Sequence, residues 1–259
     1  MKQKRKYSQK TLREATQGYT FMAPTIFVLA LFIIGPILYA FFLSFHKVQL
    51  LGTTSYQFVA FENFTNILDD KRAQIALWNT FKYVMIVVPT QTALALILAA
   101  TLNAGLKGQT FFRIVYFLPT LTSSAVLTLI FMWMYNQNGL VNKMLSTIGL
   151  PTYNWMGDPQ VALNAIMIMN IWATAPFFMV IYLAALQDIP DSLYEAAELD
   201  GATAIQKFFY ITVPNLRPVT SFVVIMGLIG TFQLFDQSFI FSGGSGGPDN
   251  STLTVVLLI

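Results

Sequence analysis

No charged side chain occurs from Gly18 to Phe45, and comparable uncharged runs recur downstream, separated by short charged segments. A run of about 20 apolar residues is long enough to cross a bilayer as a helix, whose backbone polar groups are then satisfied internally. The pattern therefore predicts an all-α membrane protein, with spans at about 19–45, 82–106, 112–135, 161–186 and 218–241. Thr252 to Ile259 is apolar but too short to cross, so it reads as the start of a sixth span, a truncated last helix. Composition agrees: 55% hydrophobic and 10% charged residues, with a mean hydropathy of +0.59, fall outside the soluble globular range.

Between these spans lie a basic tail at 1–18 and a mixed-charge loop from His46 to Leu77 whose Phe58 to Leu68 portion suits a short interfacial helix. A second loop, Asn136 to Pro159, leaves room for a short helix near Val141 to Ile148. Pro24 and Pro36 predict kinks in the first span unless neighbouring groups satisfy the freed carbonyls. The excess of Lys and Arg orients the chain. With the tail inside, Lys2, Lys4, Arg5, Lys6, Lys10, Arg13, Lys107, Arg113, Lys207 and Arg217 are cytoplasmic, against Lys47, Lys71, Arg72, Lys82 and Lys143 outside.

The segment 187–217 cannot enter lipid. Asp188, Asp191, Glu195, Glu198 and Asp200 crowd its first half, and a carboxylate at the bilayer centre costs about 2.5–3.5 kcal/mol on insertion scales. Its local pattern is helical. Pro190 precedes a Ser192 to Glu195 capping box, Gly201 supplies a positive-φ stop, a second helix can restart at Ala202, and Pro214 closes the element. The expected shape is a cytoplasmic helical hairpin, pinned to spans at both ends.

Its spacing carries a resemblance. Glu195-Ala196-Ala197, three residues, Gly201, nine residues, Ile211, one residue and Val213-Pro214 resemble the EAA loop of ABC importer permeases, with Val213 in place of the usual Leu. Phe58 to Phe64, Phe111 to Pro119, Leu186 to Pro190 and Leu199 to Ala202 extend the likeness to the carbohydrate importers of the maltose and multiple-sugar type. The resemblance implies a six-helix transmembrane domain in the cell membrane with a cytoplasmic N-terminus. It also implies coupling to an ATPase through Glu195, Ala196, Ala197, Gly201, Ile211 and Pro214. The implied partners are a second related permease, two ATP-binding cassette subunits and an extracytoplasmic sugar-binding protein.

Enzyme chemistry finds no toolkit here. There is no Cys and a single His, His46, which leaves no thiolate or His-based metal cluster and no triad. No Gly-Lys dipeptide occurs, so a phosphate-binding P-loop is absent and ATP hydrolysis would belong to a separate chain. The tract Gly243 to Gly247 lacks that lysine and reads as a flexible outer loop. A net charge of +3, concentrated in the tail, fits membrane orientation rather than nucleic acid. No cofactor is expected.

Polar residues inside spans are candidates for a substrate path or for interhelical hydrogen bonding: Gln91, Thr122, Ser123, Ser124, Thr128, Asn164, Asn170, Trp172, Thr174, Thr231, Gln233, Asp236 and Gln237. A sugar wants amide or carboxylate partners for its hydroxyls and an aromatic face for its CH surface, which favours Asn170, Trp172, Gln233, Asp236 and Gln237. Span interiors lack Lys and Arg, so a neutral sugar is the expected cargo, with glycerol phosphate as the alternative if a partner permease supplies cations. An ion-coupled secondary transporter is the competing class. It normally keeps intramembrane acids and repeated halves, whereas Asp236 is the lone acid near a span interior and no repeat is evident.

Overall fold

The structure is a computed structural model that describes residues 9–49, 55–104 and 108–259. Lys2, Lys4, Arg5, Lys6, Lys107 and the expected end of the second span at 105–106 lie outside the described residues. The chain divides into two units at Asp70.

The first unit begins with α1 (Gln9–Leu29), starting ahead of the expected residue 19, and continues through a π-helical turn (Ala30–Ile34) into α2 (Gly35–Ser44). Pro24 lies inside unbroken α1, and Pro36 follows the π turn within a helix that runs on, so neither breaks the first span. Pro36 has no N–H and its ring crowds the carbonyl four residues back. The backbone widens by one residue, so that Gly35 N–H donates to Ala30 O. The region expected to be a loop then forms a hairpin, β1 (His46–Gln49) antiparallel to β2 (Ser55–Phe58), followed by α3 (Glu62–Asp69). Asn63 Nδ2 donates to the carbonyls of Ser44 (2.9 Å) and His46 (3.1 Å), fastening α3 to the end of α2. Strands at this position are a local feature, since no other strand occurs among the described residues.

The second unit is built on α4 (Lys71–Asn103) and α8 (Ala162–Gln187). At 1.5 Å per residue α4 is about 50 Å long, against about 30 Å of hydrocarbon. Its charged start, from Lys71 through Lys82, therefore projects beyond the apolar stretch that hydropathy detects, and the helix begins well before the expected residue 82. Small residues let the pair approach closely: Ala95, Ala99, Ala165 and Ala175 are fully buried. One core surrounds Tyr83, Val87, Phe131 and Ile166, and a second surrounds Leu102, Met179, Tyr182 and Leu216.

Two expected spans are interrupted. In place of one helix over 112–135 the chain forms α5 (Gln109–Phe117), a 3₁₀ turn (Leu118–Leu121) and α6 (Ser124–Met134), bent by 100°. Pro119 cannot continue α5, and Ser123 caps α6 by accepting from Val126 N–H at 3.4 Å. The short helix near Val141 is α7 (Leu140–Thr147). The run 218–241 becomes α12 (Arg217–Phe232) and α13 (Asp236–Ser242), broken at Gln233 to Phe235. Between α8 and α12 lie α9 (Asp191–Leu199), α10 (Ala204–Lys207) and α11 (Val213–Asn215), and the described residues end with α14 (Val255–Leu258). Thr254 caps α14, while Asn79 Nδ2 donates to Asn250 O (2.9 Å) and Leu253 O (3.0 Å), tying this end to α4.

Candidate functional site

Two places bring together residues singled out by the sequence, a polar elbow between α8 and α12 and a cavity among the spans.

In the elbow, α9 starts at Asp191 with Pro190 as its cap residue and no side-chain cap bond, so the Ser192 to Glu195 capping box is not formed. The reason is register: Leu193 N–H already donates to Pro190 O, which places Ser192 inside the first turn. The end of α9 is satisfied by backbone alone. Gly201 N–H donates to Glu198 O and Ala202 N–H to Ala197 O, the paired bonds of a Schellman stop, with Gly201 at φ +75°. The second helix restarts at Ala204 rather than Ala202, and the capping box lies here. Gln206 N–H donates to Thr203 Oγ1, and Thr203 N–H to Gln206 Oε1 at 2.8 Å.

Pro214 does not close the element. A π turn (Phe208–Thr212) precedes it, with Val213 N–H reaching Phe208 O, and the chain runs on almost without pause into α12. Glu198 Oε1 and Lys207 Nζ meet at 2.6 Å across the elbow. That hydrogen bond, reinforced by the lysine's charge, holds the Glu198 carboxyl below its usual range. Tyr194 and Thr212 hydroxyls lie 2.9 Å apart, joining α9 to the return segment.

Of the residues expected to couple to an ATPase, Ala197, Gly201 and Ile211 border a shallow depression of about 300 Å³ that is completed by Asp200, Ala202, Gln206, Lys207 and Tyr210. Glu195 and Ala196 are exposed on α9 outside it, and Pro214 is half-buried. Leu199 (91% exposed), Tyr210 (79%) and Ile205 (70%) stand out from the elbow, unusual apolar exposure beside so many charges.

The cavity, about 360 Å³, is walled by the break between α5 and α6 and by faces of α4, α8, α12 and α13. Pro119, Thr120, Thr122 and Ser124 come from the break, and Met226, Gly227, Gly230 and Thr231 from α12. A Cβ on Gly230 would meet nothing within 4 Å, so the missing side chain leaves open space. No lining side chain is charged. Of the five favoured substrate-path residues, Asn170 and Gln237 line it. Trp172 is 48% exposed, its ring 5.4 Å from that of Phe131, and Gln233 and Asp236 are exposed, so these three are not brought to the cavity. Asp236 instead sits in the first turn of α13, where a carboxylate suits the helix dipole. Gln91, Thr122, Ser124, Thr174 and Thr231, from the wider polar set, do line it. The signal that separates them is the helix break at Pro119, which polarity alone does not report.

Comparison with known proteins places this arrangement. Residues 91–255 match the family described as binding-protein-dependent transport system inner membrane component. The lactose transport system permease protein LacF of Rhizobium radiobacter is 38% identical over 93% of this chain and 81% of its own length. The trehalose/maltose transport system permease protein MalF of Thermococcus litoralis is 34% identical over 95% and 83%. In fold, a chain of a bacterial alginate ABC transporter crystallised with its alginate pentasaccharide-bound periplasmic protein superimposes with a TM-score of 0.78 at 22% identity, covering 94% of this chain and 80% of that one. The protein is thus a multi-pass membrane protein that belongs to the binding-protein-dependent transport system inner membrane components.

Proposed function

We propose that the chain is the permease subunit of an ATP-binding-cassette importer that carries a neutral sugar or oligosaccharide into the cytoplasm, with ATP hydrolysed on partner subunits. The observation that carries the reading is the uncharged cavity among the spans, where amide and hydroxyl side chains stand beside apolar and aromatic ones such as Met169, Phe177 and Phe178, accompanied by relatives named for lactose and for trehalose/maltose transport. Hydroxyl and amide groups can exchange hydrogen bonds with a sugar's hydroxyls, while an anionic cargo would want cations that the lining lacks. An ion-coupled mechanism has no acid in the cavity to work with.

The elbow is the mechanical half of the proposal. With the N-terminus inside, 187–217 faces the cytoplasm, where an ATPase subunit seats on the depression around Gly201 and its closure moves α8 and α12, the helices that flank the elbow and wall the cavity. A second related permease completes the pathway, and an extracytoplasmic binding protein delivers the sugar. The experiment is purification of the intact complex, identification of the co-purifying chains, and uptake of labelled lactose, maltose and trehalose into vesicles. Uptake that requires a co-purifying ATPase and internal ATP is the expected result. Uptake without nucleotide, or labelling of Glu195 from the outside only, overturns the proposal.

A further inference from the structure

Gln91, a polar candidate that the favoured substrate-path residues left aside, lies on α4 and lines the cavity while only 1% exposed. Thr174 Oγ1 donates to its Oε1 at 2.7 Å, with the Asn170 carbonyl also 2.8 Å from that hydroxyl, so one end of the amide is held by α8. The other end is not. Among the described residues no acceptor takes the Gln91 Nε2 protons. The glycine at 227 gives that nitrogen its room, because a Cβ there would come within 2.6 Å of it. Ser124 Oγ, on the cavity wall contributed by α6, is also buried without a partner.

A hydroxyl buried without a partner is costly, and the amide nitrogen of a buried side chain that lines a cavity and meets no protein acceptor is free to donate into that space. Two such groups on the wall of one uncharged cavity point to a ligand that supplies the missing partners. Resting on the sugar-permease reading, we propose that Gln91 is a specificity-determining residue whose Nε2 donates to a hydroxyl oxygen of the sugar, with Thr174 holding the amide in place and Ser124 exchanging a second hydrogen bond. The required ligand chemistry is a neutral polyhydroxylated molecule: its oxygens accept from an amide, its O–H groups satisfy a serine, and it brings no charge.

The test measures equilibrium binding to the purified complex in the absence of any binding protein. The probe is whichever of labelled lactose, maltose or trehalose the unsubstituted complex takes up. Gln91→Met, which keeps length and loses the donor, should weaken binding about tenfold, the factor that corresponds to one hydrogen bond of ordinary strength. Ser124→Ala should weaken it by less. Thr174→Val, which removes the tether but leaves the donor, should shift binding by about threefold or less. At least one monodeoxy analogue should bind the unsubstituted complex more weakly than the parent sugar and bind Gln91→Met equally. If Gln91 only joins helices, Gln91→Met and Thr174→Val will change thermal stability alike and binding not at all, and the assignment is overturned. It is likewise overturned if no saturable binding is found. ATP-dependent uptake by the unsubstituted complex tests the underlying reading separately: its absence overturns both.

Discussion

Gly201 offers the sharpest test of the elbow, because geometry separates two reasons for needing glycine there. Its φ of +75° lies in the left-handed region, while a Cβ built on it meets nothing within 4 Å. Within this chain the constraint is therefore backbone conformation, not space. For an L-residue the left-handed conformation costs about 1–2 kcal/mol, and 1.4 kcal/mol is about a tenfold change in population. Gly201→Ala should thus deplete the Schellman geometry that aims α10 by about an order of magnitude relative to competing turns. Asn visits this region more readily, so Gly201→Asn should retain more of it despite a larger side chain. In vesicles holding the whole complex, sugar taken up per ATP hydrolysed should fall for Gly201→Ala and fall less for Gly201→Asn, at matched amounts of assembled complex. Ala indistinguishable from Gly refutes the backbone argument. So does an Asn variant worse than Ala, which would show that a partner's surface, not φ, sets the requirement.

Three further outcomes follow from the geometry. Because Lys207 lowers the Glu198 carboxyl below its usual value of 4.5, the pair's contribution is full above that value and is lost as pH falls through the lowered one. Protection of the elbow amides, corrected for the intrinsic rate of exchange at each pH, should fall on acidification toward pH 4 and below in the parent but hardly in Glu198→Gln, and a flat parent profile would refute the link. Gly230→Leu places a side chain in the open space of the cavity on an ordinary helical backbone, so uptake should be abolished while expression and thermal stability hold. Unchanged uptake would remove the cavity from the pathway. Asn79→Leu removes the side-chain donor shared by Asn250 O and Leu253 O; Asn250 O keeps the Leu253 N–H, so the cost is about 1–3 kcal/mol for the one carbonyl left unpaired, and amide exchange over 251–255 should speed specifically.

Legibility in the sequence followed the physics of each segment. The apolar runs of α2 and α8 and the carboxylate-rich elbow were readable because the bilayer admits one and excludes the other, a difference of kilocalories per residue. Gly201 was readable because few other residues tolerate its conformation. Helix limits outside the lipid were not, since α1 and α4 extend into polar sequence that hydropathy reads as loop. Prolines act in two ways. Pro119 ends α5, whereas Pro36 and Pro214 sit in helices that absorb them through a preceding π turn. Composition does not encode which of the two a proline will do.

The site followed the same logic. Choosing residues by chemical suitability to a sugar favoured Asn170, Trp172, Gln233, Asp236 and Gln237, of which Asn170 and Gln237 line the cavity, and gave no preference to the other candidates Gln91 and Thr174, which line it too. Non-helical backbone at membrane depth is tolerated only where protein or a water-filled cavity can satisfy the freed groups. In this chain Pro119 and the Ser123 cap mark a helix break and the wall of a cavity together, whereas Pro24-Thr25 and Pro89-Thr90 lie in unbroken helices. That break brings Thr122 and Ser124 to the cavity wall beside the α8 face carrying Asn170 and Thr174, and through Thr174 the wall reaches Gln91 on the facing helix.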